Sequence, residues 1–224
     1  MTSLRLHGYF NSSAAYRVRI ALALKGLAWE PVAVNLRTGE QRGERYTAIN
    51  AAQMVPALEH DGRIITQSLA IIDYLDALEA QPRLVPADPL LRARALEQAC
   101  LIGCDIHPLD NLRVLTYLRS ELGRGDEDVR QWYAHWIRRG FDALEQLLPE
   151  QGEGFCLGPA GGATPSIADC FLVPQVSNAE RFAIDLGPWP RIRQVAACCR
   201  ALPSFASAAP QRQPDFVERP AGRA

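Results

Sequence analysis

The 224-residue sequence contains no long hydrophobic run. None approaches the ~18 uninterrupted apolar residues of a membrane-spanning helix, so no membrane association is expected. The start, Met1-Thr2-Ser3-Leu4-Arg5-Leu6-His7, has no apolar signal-peptide core, and a cytoplasmic location is the expectation. A charge excess is also missing: 24 Lys and Arg against 25 Asp and Glu leave a formal net charge of −1. That balance provides no global field to hold nucleic acid or an anionic membrane, while leaving room for a local basic site that takes a small anion. The six cysteines form no C-x-x-C pair and no His/Cys cluster has zinc spacing, so no metal site is expected. Cys100 and Cys104 stand one helical turn apart, and Cys170 and Cys198 lie in apolar runs. They read as buried free thiols in a reducing compartment. Internal repeats and low-complexity blocks are absent, which excludes a repeat array.

What is present is an ordinary globular composition, 48% apolar and 22% charged. The length suffices for one large domain or two small ones. The first eighty residues alternate element types. Residues 4–9 read as a strand, 12–26 as a helix closed by Gly26, and 29–35 as a second strand. After a polar loop over 37–45, two short apolar runs at 55–60 and 64–66 flank Asp61-Gly62, a hairpin turn signal. A helix follows, with Ile71, Tyr74, Leu75 and Leu78 recurring at i, i+3, i+4 and i+7. The order β-α-β then β-β-α predicts a mixed sheet with helices packed on it. A Pro-rich linker spans 81–88. Asp88-Pro89 then opens a region of purely helical patterns: 91–122, 127–148, 166–178 and 191–199. Residues 152–162 read as a loop, and the chain from Pro210 as a tail on the surface. The boundaries are a small α/β domain over 1–82 and a larger all-α domain over 89–212.

Several residues are candidates for chemistry, each with a plainer alternative. Ser12-Ser13 opens the first helix, where free N–H groups and a partial positive charge stabilise an anion such as a thiolate. Serine there is also a common helix cap. Pro56, at an apparent strand start, costs a ladder bond, and a cis bond before it would turn the chain and expose the backbone of Val55. Gln67-Ser68 opens the third helix and can hold a carboxylate or simply cap. His107 and Asn111 share a helix face if Pro108 only kinks the helix, and that face meets a cleft, a partner subunit or solvent. Arg181 is either an ordinary surface residue or a bidentate grip on a carboxylate. Ser166-Ile-Ala-Asp169 reads as a structural capping box.

Taken together, these segments resemble one family. Ser12-Ser13-Ala-Ala-Tyr-Arg-Val-Arg-Ile-Ala-Leu22 is similar to the S-S-C-x-W-R-V-R-I-A-L signature of zeta-class glutathione transferases. Val55-Pro56-Ala-Leu58 resembles the family's V-P-x-L, whose proline is cis. Gln67-Ser68-Leu-Ala-Ile-Ile72, Leu172-Val-Pro-Gln-Val176, Asn178-Ala-Glu-Arg-Phe182 and Gln213-Pro214-Asp215 also match, in order along nearly the whole chain. The stretch from Gly103 to Arg113 is similar to the G-C-D-I-H-P-x-x-N-x-R of the bacterial members that act on maleylpyruvate.

The resemblance implies the glutathione transferase fold: an α/β thioredoxin-like N-terminal domain that binds glutathione, plus an all-α C-terminal domain for the substrate. It implies Ser12 and Ser13 at the glutathione sulfur, and Val55 and Pro56 along its peptide part. Gln67 and Ser68 would lie at its γ-glutamyl end, with His107 and Asn111 as further contacts near a homodimer interface. Arg113, Arg181 and Arg17 are the candidates to hold a dicarboxylate substrate. The implied reaction is glutathione-dependent cis–trans isomerisation of maleylpyruvate or maleylacetoacetate, as in the breakdown of aromatic compounds. The rival readings are a transferase that conjugates or dehalogenates small α-haloacids, and a non-catalytic scaffold of the same fold. Two departures bear on this. Ala14 stands at the signature's cysteine, and Asn11 where members commonly carry Arg.

Overall fold

The computed structural model describes residues 3–150 and 154–218. They form two compact units: the chain up to Leu84 together with Ala201–Glu218, and Val85–Arg200.

The first unit is built on β1 (Leu4–Gly8), α1 (Ser13–Leu24), β2 (Glu30–Ala33), the single turn α2 (Glu44–Thr47), β3 (Ala57–His60), β4 (Arg63–Thr66) and α3 (Ser68–Leu78). The sheet order is β2-β1-β3-β4. β1 runs parallel to β2 and antiparallel to β3, and β3 pairs antiparallel with β4. The hairpin turn falls at Asp61-Gly62, with φ of 49° and 76°. Two positive φ values are what the tightest hairpins require, and Asp-Gly supplies them at little cost. The core lies where Val18, Ala21 and Leu22 of α1 and Ile71, Ile72 and Leu75 of α3 are fully buried with Leu58 of β3. β3 begins at Ala57 rather than 55, because Pro56 has no N–H for the ladder. The Val55–Pro56 bond is cis, as the resemblance implied.

One buried cation closes the bottom of this unit. Lys25 caps the end of α1, and its Nζ donates to Asp76 Oδ1 of α3 at 2.5 Å, to Glu79 O at 2.6 Å and to Pro82 O at 2.6 Å. Asp76 Oδ1 also accepts from the Leu84 N–H at 2.7 Å. The linker after α3 is thereby fixed by main-chain carbonyls that would otherwise lose their solvent.

The second unit contains α4 (Pro89–Cys100), a π-helical segment (Leu101–Ile106), α5 (Leu112–Ser120), α6 (Asp126–Leu147), α7 (Ile167–Arg181) and α8 (Pro190–Arg200). Asp88 caps α4 ahead of Pro89, as expected. The single helix expected over 91–122 does not exist. Its ladder widens to i→i−5, with His107 N–H donating to Ile102 O, and stops at Pro108. Proline has no N–H to continue the ladder, while His107 before it keeps helical φ and ψ of −59° and −40°. The chain restarts at Asn111, whose Oδ1 accepts from Arg113 N–H as the cap of α5. Gly140 of α6 permits the π segment to come close: a Cβ there would meet Ile106 Cδ1 at 2.2 Å. At the start of α7 the capping box forms as read. Asp169 accepts from Ser166 N–H and Oγ, and also from Cys156 N–H and Cys199 Sγ. Cys156, Cys170 and Cys199 are buried thiols, but Cys104 is exposed and Cys100 and Cys198 are half-buried.

The chain then returns to the first unit, where α9 (Pro203–Ala208) packs on α1. Arg19 of α1, 4% exposed, donates to Ala208 O as well as to Tyr9 O and Phe10 O. Asp215 accepts from Phe10 N–H at 2.9 Å. The described residues from Pro210 to Glu218 lie on the surface, as expected, and Asp215 ties them to the first unit.

Lys25→Met leaves Asp76 buried without its cation. Breaking a buried pair from one side costs roughly 3–5 kcal/mol. Urea denaturation should show that loss as a lower midpoint with an unchanged slope.

Candidate functional site

β1 ends at Gly8 and delivers a tight turn, closed by Ser12 N–H on Tyr9 O at 3.0 Å. Ser12 is the N-cap of α1, and its Oγ accepts from Ala15 N–H at 3.2 Å. Ser13 is the first helical residue and is buried. The first turn of α1 carries no acidic side chain to offset the helix's positive end. The cap reading of Ser12 is correct, and it leaves the anion reading intact. An oxygen that accepts from Ala15 still has its own hydrogen to donate.

α3 offers a second such start. Its N-cap is Gln67, held at φ 69° and ψ 117°, with no side-chain bond to its own helix. A left-handed backbone at a non-glycine residue costs energy and is a feature of functional sites. It leaves the exposed Gln67 side chain uncommitted to capping. Ser68 follows, buried, and again no acid sits in the first turn. Arg17 joins the two helix starts. It is 2% exposed, and its Nη1 donates to Ser68 Oγ at 3.3 Å. Expected as a grip on substrate, Arg17 is in fact buried behind α3's first residue.

Val55 lies just before the β3 ladder. The loop leading to it is fixed by two residues that no sequence motif marked. Tyr46 Oη and Asn50 Nδ2 each donate to Met54 O at 2.7 Å. Burial pushes the Tyr46 phenol up to about 12, so it stays a donor. A hollow of about 260 Å³ against Phe10, Trp29, Pro31 and Asp215 contains none of the predicted site residues.

In the second unit, His107 and Asn111 do not share a helix, yet the turn keeps them adjacent, with Nε2 and Nδ2 3.5 Å apart. Arg113 is exposed, one residue into α5. Arg181, at the end of α7, is exposed and backed by a built platform. Its Nη2 donates to Asn178 Oδ1 at 2.9 Å. Its guanidinium lies 5.4 Å above the Phe182 ring, which stacks on Tyr133 of α6 at 3.6 Å. Burial raises the Tyr133 phenol well above its ordinary range. The charge of Arg181 and a hydrogen bond from it pull the phenol down, and the charge of Asp110 pushes it up. Asp110 itself, in the turn before α5, is buried, and burial raises its carboxyl from 3.8 to about 8. Tyr133 and Asp110 were not singled out from sequence. A tyrosine at helical spacing reads as core, and an acid in a polar run reads as surface. Among the described residues no group of three or more His, Cys, Asp or Glu is arranged to hold a metal ion.

An α/β unit with two acid-free helix starts and a cis proline, and a separate helical unit, defines a class. The chain belongs to the glutathione S-transferase family: the family's N-terminal domain model matches residues 2–77 and its C-terminal domain model residues 126–201. Over 95% of its length it is 48% identical to a maleylacetoacetate isomerase of Pseudomonas aeruginosa, covering 98% of that protein. The solved holo structure of a maleyl pyruvate isomerase, a bacterial glutathione S-transferase of the zeta class, matches with a TM-score of 0.90 at 42% identity, over 95% of this chain and 100% of that one. A maleylacetoacetate isomerase from Methylobacterium extorquens, solved with malonate and glutathione bound, matches with a TM-score of 0.87 at 38% identity, over 96% and 100%. These relatives put the chain in the zeta class.

Two outcomes follow for stability. Ser12→Ala removes a cap and should cost about 1 kcal/mol in denaturant melts, with Ser13→Ala costing less. Asp110 binds its proton more tightly folded than unfolded. Its contribution is therefore complete below the ordinary carboxyl range, declines as pH rises from 3.8, and is exhausted by about 8. Between those limits Asp110→Asn should gain on the parent by at least about 2 kcal/mol, read from melting curves across the window.

Proposed function

We propose that this chain catalyses the glutathione-dependent cis–trans isomerisation of a maleyl keto acid, maleylpyruvate or maleylacetoacetate, to its fumaryl isomer. The observation that carries the reading is the start of α1. Two serines at the positive end of a helix whose first turn carries no acid are an arrangement that favours a thiolate over a thiol. When bound, glutathione supplies a sulfur nucleophile that adds reversibly to the double bond and is released unchanged after rotation. Ser12 and Ser13 hold that sulfur as an anion by hydrogen bonding. The Val55 backbone, shaped by Pro56, pairs with the peptide part. Gln67 and Ser68 take the γ-glutamyl carboxylate at the start of α3, with the charge of Arg17 behind them. His107 and Asn111 add further contacts to glutathione.

The substrate carries two carboxylates, and a buried carboxylate without a partner is strongly disfavoured. Asn11 offers no cation, so the task falls to Arg181 and Arg113. Ala14 leaves no protein thiol in the signature, which makes glutathione the source of sulfur. The assembly is a homodimer with His107 near its partner. Supporting this, Leu112 and Tyr117, just beyond His107, are apolar and exposed by 47% and 56%. All six cysteines are free thiols, in keeping with a cytoplasmic setting.

An assay of both maleyl compounds, with and without glutathione, tests the reading. Turnover should require glutathione in catalytic amount and leave its total free concentration constant. Stoichiometric loss of glutathione points instead to conjugation of haloacids, and full turnover without any thiol refutes the mechanism. Arg181→Ala should lower kcat/KM about ten- to a hundredfold, the worth of one charge-assisted contact, with glutathione affinity less affected. Light scattering should report a dimer; a fully active monomer contradicts the assembly.

A further inference from the structure

Two side chains converge on one main-chain oxygen just ahead of Val55. Tyr46 Oη, from α2, and Asn50 Nδ2 each donate to Met54 O at 2.7 Å. A carbonyl oxygen has two lone pairs, so this one is fully used. Both donors are themselves held. Tyr46 is 4% exposed, and its ring centroid lies 6.3 Å from that of His7 on β1. Asn50 is 7% exposed; its N–H donates to Tyr46 O at 2.8 Å, and its Oδ1 accepts from Ala52 N–H at 3.0 Å.

Met54 O belongs to the same peptide group as the Val55 N–H. That peptide bond is trans. A trans peptide is flat, and its C=O and N–H point in opposite directions. Bonds that fix the oxygen therefore fix the direction of the N–H as well. Hydrogen bonds accepted by a carbonyl also polarise the group, which makes its N–H a stronger donor. Among the described residues the half-buried Val55 N–H makes no hydrogen bond. Pro56, the next residue, has no N–H to offer. An aimed and unused main-chain donor requires an explanation, and an extended peptide ligand supplies one.

We propose that Tyr46 and Asn50 are positioning residues for glutathione: by holding Met54 O they aim the Val55 N–H at a carbonyl of the ligand's peptide part. They act through Val55, not on the ligand and not on the sulfur chemistry. Loss of either donor loosens the peptide plane and weakens glutathione binding. The proposal rests on reading the Val55 backbone as the contact for the peptide part of glutathione.

The experiment compares the parent, Tyr46→Phe, Asn50→Ala and Lys25→Met in the full chain, at a temperature where melting curves show each protein folded. Tyr46→Phe removes one donor and keeps the ring against His7. Lys25→Met weakens the same unit through its linker and serves as the stability control. Three readouts are taken: the Kd of glutathione by calorimetry, KM for glutathione with kcat at saturation, and the Val55 amide proton resonance in isotope-labelled protein. Tyr46→Phe should raise Kd and KM about three- to tenfold, the worth of one neutral hydrogen bond. Asn50→Ala should raise them at least as far. The value of kcat should stay within about twofold, because only binding common to ground and transition states is lost. In the parent the Val55 amide proton should move downfield when glutathione binds. In unliganded Tyr46→Phe it should lie upfield of the parent. Lys25→Met should keep the parent's Kd. If Asn50→Ala does not fold, Tyr46→Phe decides alone. If neither maleyl compound is turned over, the isomerase reading falls, and the Kd series still decides this one. Parent-like Kd in Tyr46→Phe overturns the proposal, as does an equal loss of affinity in Lys25→Met. A Val55 amide in the parent that ignores glutathione removes both the Val55 contact and the proposal built on it.

Discussion

Arg19 donates to three main-chain carbonyls, two in the turn before α1 and one at the end of α9. A guanidinium so deeply buried is tolerated only when its donors are used, and burial already lowers its pKa to about 10. It nonetheless remains charged at neutral pH. The turn it grips, residues 9–12, delivers Ser12 to the helix start, and Asp215 takes the Phe10 N–H from the same turn. The position of the two serines therefore depends on one cation of α1 and on residues nearly two hundred positions later. Remove that grip and the helix still forms, but its first turn is no longer held against β1.

The rest of the candidate site follows the same economy. A chain of net charge −1 has no global field for anions, so any attraction must be local. Two helix starts are kept free of acids, Arg17 is buried behind the second, and Arg181 is set on a platform of Tyr133 and Phe182. Each cation is held by hydrogen bonds before any ligand arrives. Little side-chain freedom then remains to be lost on binding, which is where much of the cost of recognition lies.

The first half of the fold was legible in the sequence because its signals are local. Asp61-Gly62 can hardly be anything but a turn, the spacing of Ile71, Leu75 and Leu78 is helical, and Ser166 to Asp169 spells its own cap. The misreadings come from information that is not local. Nothing near Pro108 announces a π segment; that geometry depends on Gly140, more than thirty residues away, admitting Ile106. Arg17 looked like an available charge, because burial behind Ser68 is a property of α3 and not of α1's own sequence. Tyr46 and Asn50 serve the carbonyl of Met54 from outside any motif. The candidate site residues of the first unit were suggested by a recurring pattern, while the residues that hold them in place were visible only in three dimensions.

The return of the last segment to the first unit sets the order in which the protein can be completed. On the ribosome, residues up to Leu84 emerge first, but the face of α1 that α9 covers stays bare until Pro203–Ala208 has been made. Val85–Arg200 is continuous in sequence and is made before that segment. At ordinary synthesis speeds the gap is roughly ten seconds. During that interval the earliest-made unit is the incomplete one, with the turn before Ser12 not yet clasped. A nascent chain thus completes its first-made unit only once the segment after the helical unit has been added, so emergence of the N-terminal residues is not the event that finishes it.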